Sequence, residues 1–143
     1  MSKIKIYMGS VTSGGTDGTL VSSGTGITPI NSGAIKVPTS GYAEGSWIKL
    51  ALRCDAGYET VLDGGIHAQV SIVDSTAVDK WQLAPDNAGS PGTPETYGDP
   101  LDFAGQIGAT NTLFWVRARV ADTEEPLNDT TVDLQVSATI GAA

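Results

Sequence analysis

A single cysteine, Cys54, excludes an internal disulfide and leaves too few thiols for a structural zinc site, which suits synthesis in a reducing cytoplasm. Histidine is equally scarce. His67 is alone, and the chain has neither a G-x-S-x-G elbow nor an H-E-x-x-H pair, so acyl transfer and histidine-based metal chemistry have no signature. Long apolar runs are missing too. Met1 to Ser10 carries lysines with no apolar stretch of about 7 to 15 residues behind them, and no later run approaches about 18, so no signal peptide and no membrane span are expected. Basic residues are few: 8 Lys and Arg stand against 16 Asp and Glu, a formal charge of −8, which disfavours nucleic acid and anionic lipid as partners. The last absence is helical periodicity. Apolar residues recur at a spacing of two rather than 3.6, so hairpins and meanders are expected, and the crossover helices of a dinucleotide or P-loop fold are excluded.

What is present fits one all-β domain over residues 1–143, an antiparallel two-sheet β-sandwich of about 7 or 8 strands. The pattern predicts strands at Lys3 to Met8, Thr19 to Ser22, Ala34 to Val37, Ser46 to Cys54, Ile66 to Val73, Val78 to Leu83, Thr112 to Ala121 and Thr131 to Ile140. Asp17-Gly18, Asn31-Ser32-Gly33, Ala56-Gly57 and Asp63-Gly64-Gly65 supply the reversals. Four strands alternate clearly enough to give core faces. These are Ile48, Leu50, Leu52 and Cys54; Ile66, Ala68, Val70 and Ile72; Phe114, Val116, Ala118 and Val120; and Val132, Leu134, Val136, Ala138 and Ile140. Residues 84–103 hold Pro85, Pro91, Pro94 and Pro100 with three glycines and no alternation, and are read as one long loop, either a flap over a sheet edge or a binding loop.

The segment Phe114-Trp115-Val116-Arg117-Ala118-Arg119-Val120, with Val132 to Ala138 after an acidic turn, resembles the last two strands of a fibronectin type III or immunoglobulin-like domain. That resemblance covers about 30 residues and implies sandwich architecture, with Phe114 standing where the family has its corner tyrosine. It implies no ligand, because the fold hosts many functions. A leaderless chain rich in Gly, Ser and Thr is also similar to small virion proteins of tailed bacteriophages, which implies a decoration, tail or baseplate role.

Individual chemical candidates read mostly as structure. Cys54 falls on the inward parity and His67 on the outward one. Asp122, Glu124, Glu125 and Asp129 crowd one turn without EF-hand spacing, and Gly24-Thr25-Gly26 lacks the third glycine of a dinucleotide loop. No cofactor and no catalytic residue is expected. Asn128-Asp129-Thr130 matches a glycosylation acceptor, which is read as chance because no secretion signal is expected.

Charge placement is more informative. Lys3, Lys5, Lys36, Lys49, Arg53, Lys80, Arg117 and Arg119 all fall in the predicted strands, and most acids fall in turns. On the outward parity, Trp47, Lys49 and Arg53 share one strand face and Trp115, Arg117 and Arg119 another, a pairing of large aromatic surface with cations that is typical of protein interfaces. These six are the candidate site. The competing reading has the long loop cover the tryptophans while the basic side chains keep sheet edges from aggregating. The expected function is a non-catalytic structural or interaction protein, a homo-oligomer or a component of a larger particle such as a phage virion. The alternative is a carbohydrate-binding module that stacks a glycan on Trp47, Trp81, Trp115, Tyr42, Tyr58 or Tyr97.

Overall fold

The computed structural model describes residues 3–21, 35–36, 38–73, 80–123 and 133–143. These form eleven antiparallel strands and no α-helix: β1 Ile4–Met8, β2 Thr19–Val21, β3 Tyr42–Glu44, β4 Ile48–Cys54, β5 Tyr58–Val61, β6 Ala68–Val73, β7 Trp81–Asn87, β8 Ser90–Pro91, β9 Leu101–Phe103, β10 Thr112–Ala121 and β11 Asp133–Ala142. The larger sheet runs β2-β1-β4-β10-β7-β8, with β3 also on β10, and the smaller contains β5, β11, β6 and β9. The all-β sandwich expected from the alternation is therefore present. Its extra strands are the short β3, β5, β8 and β9, too brief for a period of two to register.

β3 and β4 are one line of chain interrupted by a bulge. Val116 lies opposite Ile48, but Arg119 lies opposite Glu44, so three steps along β10 face four along its partner. The extra residue falls within Gly45-Ser46-Trp47, and the Gly45 amide holds the ladder together by donating to the Ala118 carbonyl at 2.7 Å. A Cβ added at Gly45 would meet Ile35 Cδ1 at 2.9 Å, so a side chain there would have to displace Ile35.

The smaller sheet is read from its hydrogen bonds. β5 pairs with the C-terminal part of β11, and β6 pairs with the N-terminal part. On their other edges, β6 meets β9 while the Thr60 amide of β5 donates to the Ile107 carbonyl at 2.8 Å. If β5 and β6 flanked β11 from opposite sides, Phe103 and Ile107 would be four strand spacings apart, about 19 Å. The chain between them reaches about 14 Å at most. β5 and β6 are therefore collinear along the same edge of β11. Residues 62–67 loop out between them, through the bridge from Asp63 to Ile66 with Gly64 and Gly65 at positive φ, as the Asp-Gly-Gly signal predicts. β11 thus borders the sheet along its whole length.

The core lies between the sheets. Leu50, Leu52, Leu83, Phe114 and Val116 from the larger sheet meet Ala68, Val70, Ile72, Leu101 and Phe103 from the smaller, with Ile107 where the chain crosses over. Phe103 and Phe114 pack edge to face with centroids 5.8 Å apart at 87°. Cys54 is buried as its parity predicts, and burial pushes its thiol pKa up, away from nucleophile chemistry.

Several sequence expectations change. Ala138 is exposed and Ile66, Val120, Leu134, Val136 and Ile140 are only half-buried; the three β11 side chains among these, like Ala138, stand on a strand that, among the described residues, has partners on one edge. Lys3, Lys36 and Lys80 lie outside the strands, which leaves Lys5, Lys49, Arg53, Arg117 and Arg119 within them. The stretch read as one irregular loop instead holds the end of β7, all of β8 and β9, and main-chain bonds from Glu95 and Gly98 to the Leu83 and Trp81 carbonyls. Its prolines misled because Pro91 and Pro94 sit along a sheet edge, where a missing amide costs no ladder bond. In the immunoglobulin arrangement the last two strands are neighbours in one sheet, whereas β10 and β11 here belong to different sheets. Ile35 and Lys36 are not in a strand, and the rest of that predicted strand lies outside the described residues. So do Asn31-Ser32-Gly33, Gly24-Thr25-Gly26, Val132 and the acidic turn beyond Thr123.

Phe114 is fully buried at the centre of both packing layers, so Phe114→Ala is expected to lower stability by about 3–5 kcal/mol in urea unfolding. A loss under about 1 kcal/mol would mean that the sheets do not close on this ring.

Candidate functional site: the outer face of the larger sheet

All six candidate residues lie on one face, because β4 and β10 are neighbours and their outward residues face each other across the ladder. Lys49 stands opposite Trp115, which stands opposite Ala84, and Arg117 stands opposite Gln82. One row away, Tyr7 is opposite Ala51 and Ala51 opposite Leu113, and beyond that Lys5 is opposite Arg53. Each of the six is half-buried rather than bare.

Two chain segments account for that partial cover. The first is the turn from Gly9 to Gly18, which folds back over the face and drops Val11 onto Ala51 and Leu113 as a small second apolar cluster. Parity alone assigns Ala51 and Leu113 to solvent, and the structure corrects this. Asn111, almost fully buried, fastens the turn: its side-chain amide donates to Asp17 Oδ1 at 2.8 Å and to the Thr12 carbonyl at 3.0 Å. Arg53 is absorbed into the same network, donating to the Asp17 carbonyl and to Asn111 Oδ1, both at 2.7 Å, with its guanidinium 3.5 Å from the centre of the Tyr7 ring. The Thr12 main-chain amide, with the Thr12 hydroxyl and Asn111, holds the Asp17 carboxyl below the usual carboxylate range.

The second segment is the chain after β8. Glu95 and Gly98 bond to β7, the Gln82 side chain donates to the Glu95 carbonyl at 2.7 Å, and Tyr97 is thereby laid on the sheet. The result is a continuous stack of alternating rings and guanidinium groups. Arg117 sits 4.4 Å from the centre of the Trp47 ring and 6.0 Å from that of Tyr97; Arg119 sits 3.9 Å from Tyr97 and 3.8 Å from Tyr42. Glu44 stitches it, accepting from the Tyr97 hydroxyl and pairing with Arg117 at 2.8 Å, while Arg117 Nε donates to Gln82 Oε1 at 2.7 Å. Each cation–ring contact is worth about 0.5–1 kcal/mol where exposed and more where water is excluded. The bulge at Gly45 to Trp47 brings Tyr42 and Trp47 to the same stack. At its open end Tyr42 is 53% exposed.

The sequence reading missed Tyr7, Glu44 and Gln82 and placed Tyr42 and Tyr97 only among sugar-stacking rings. Their role depends on a bulge and on a returning loop, neither of which has a period. Lys49 and Trp115 form a separate pair, 5.8 Å apart, with Trp115 Nε1 donating to Asp86 at 2.9 Å. On the other sheet, Asp63, His67, Gln69, Ser137 and Thr139 line an open groove of about 330 Å³. His67 Nδ1 is 3.1 Å from the Thr60 hydroxyl, which is itself fully buried and accepts from the Ile107 amide, so this pair presents no nucleophile to solvent. Among the described residues, no group of three or more His, Cys, Asp or Glu is placed to hold a metal ion, and no helix is long and apolar enough to cross a membrane.

Two titrations check this geometry. Burial and the Glu44 carboxylate push Tyr97 up to about 12, against the opposing pull of Arg117 and Arg119. A raised pKa stabilises the fold below the ordinary tyrosine value of 10.0 and is lost as pH climbs through the folded value. Alkaline difference absorbance is expected to show one late tyrosine that disappears in Tyr97→Phe; titration of all tyrosines near the ordinary value would exclude the stack. Asp17 has the opposite sign, its contribution being present above 3.8 and lost as pH falls through its lower folded value. The Thr12 amide resonance is expected to titrate with a midpoint below 3.8, and a midpoint above it would remove the carboxylate from the turn. Comparison with protein families, with curated proteins and with solved structures finds no match to this chain.

Proposed function

We propose that this chain is a non-catalytic structural or interaction protein that docks through the Tyr42 end of the outer stack and assembles into a larger particle. The observation that carries the reading is the ladder Trp47, Arg117, Tyr97, Arg119, Tyr42. Tyr97 is held between two guanidinium groups, and Trp47 and Tyr42 each lie against one, which lowers the side-chain freedom left to be lost on binding. Tyr, Trp and Arg are also the side chains that most often anchor protein interfaces.

Electrostatics suggest what meets it. The face concentrates Lys49, Arg53, Arg117 and Arg119 in a chain of formal charge −8, and Asp17, Asp55, Asp63, Glu95, Asp99 and Asp122 lie between strands. A basic face against the acidic turns of a neighbouring copy is complementary and salt-sensitive. A virion component of a tailed phage, in its head, tail or baseplate, is the setting this reading favours, since such particles are built from repeated copies. The sugar-binding alternative has less behind it. Trp47 lies under Arg117, Trp115 under Lys49 with its nitrogen bonded, and Trp81 packs against the core, so the three largest rings are occupied.

Light scattering on the intact chain and on Tyr42→Ala and Arg119→Glu tests the proposal. The intact chain is expected to form an assembly whose mass falls as salt is raised, and both substitutions are expected to weaken it at least tenfold. Assembly unchanged in both variants, or tryptophan fluorescence that responds to a glycan instead, would overturn the reading.

A further inference from the structure

The borders of the two sheets are treated very differently. β8 is two residues long with Pro91 among them, and β9 is three with Asp102 exposed, both devices that keep foreign strands from adding on. Beyond Asp133 at its start, β11 has none of them. It is ten residues long, with β5 and β6 on one edge only. From Leu134 to Ala143 it carries no charge, no proline and a single glycine. Its inward residues Leu134, Val136 and Ile140 stay half-buried, and Gln135, Ser137, Ala138 and Thr139 are exposed. No other described main-chain segment is hydrogen-bonded along its free edge.

We infer that β11 is the pairing edge for a second copy of this chain, joining two smaller sheets into one continuous antiparallel sheet about a two-fold axis. The strand's own sequence selects a copy of itself as the occupant. An antiparallel alignment centred on Ser137 sets Leu134 opposite Ile140 and Val136 opposite Ala138 on the core side. It sets Gln135 opposite Thr139 and Ser137 opposite Ser137 on the outer side, so apolar meets apolar and polar meets polar at every step. The absence of charge matters because two chains of formal charge −8 repel in net terms, and along this edge no like charges come together. Burial points the same way, since the half-buried Leu134, Val136 and Ile140 are the side chains that the partner's Ile140, Ala138 and Leu134 would cover.

This surface is on the opposite sheet from the stack of rings and guanidinium groups, and the two contacts are separable. A particle built from both would use the edge for a closed pair and the basic face for contacts between pairs.

The test is a charge exchange at Ser137, whose side chain is exposed, so that Ser137→Lys and Ser137→Glu are expected to keep the circular dichroism spectrum of the intact chain. Sedimentation equilibrium is expected to give a two-copy mass for the intact chain that persists in high salt and in Tyr42→Ala. Each Ser137 variant alone is expected to dissociate at least tenfold more readily, and an equimolar mixture to restore the pair. Amide exchange along β11 is expected to slow as concentration rises. A single-copy mass for the intact chain at every concentration would overturn the inference and leave the edge to an extended segment of another protein. A two-copy mass indifferent to both variants, with β11 exchange independent of concentration, would overturn it as well.

Discussion

The strict alternation of β10 is the constraint on which the larger sheet depends. One set of its side chains, Phe114, Val116 and Ala118, closes the core, and the intervening set, Leu113, Trp115, Arg117 and Arg119, builds the outer face. A slip of one residue would put two guanidinium groups and an indole into the core and a phenyl ring into water. The ladders to β4 and β7, on opposite edges of β10, prevent that slip, with Phe114 held between Leu50 and Pro85. Core and candidate interface are thus two readings of one register, and neither could drift without the other.

That register was legible in the sequence because it is long and regular. Ile48, Leu50, Leu52 and Cys54 were placed on one side of their strand by period alone, as were Ala68, Val70 and Ile72, and all of them face the core. What remained hidden came from chain that leaves the period. Val11 reaches Ala51 and Leu113 only because a turn doubles back across the sheet, and Asn111 fixes that turn from almost a hundred residues away in sequence. The ring and guanidinium stack needed the Gly45 bulge and the return of Tyr97. Six site residues could be named from alternation, but their neighbours on the stack could not.

The placement of charge follows a similar logic. Guanidinium groups on a sheet face are expensive to dehydrate, yet Arg53 and Arg117 are half-buried. Each is compensated three ways, by a ring face, by a side-chain amide oxygen and by a third oxygen, the Asp17 carbonyl for Arg53 and the Glu44 carboxylate of β3 for Arg117. Arginine suits this because its flat, weakly hydrated head can stack and donate at once, which a lysine ammonium cannot. Lys5 makes the simpler bargain of an ion pair with Asp55 at 2.9 Å on the rim, where the hydrogen bond raises the lysine pKa and lowers that of the carboxyl.

The loop between β5 and β6 has a consequence of a practical kind. Because those two strands already form one line beside β11, residues 62–67 contribute length without contributing to the ladder, and Gly64 and Gly65 stand exposed at its tip. Lengthening such a tip adds only a slowly growing closure entropy. The fold therefore carries a natural graft point, a place where foreign sequence can be displayed beside the smaller sheet while both cores and the outer face of the larger sheet stay as they are.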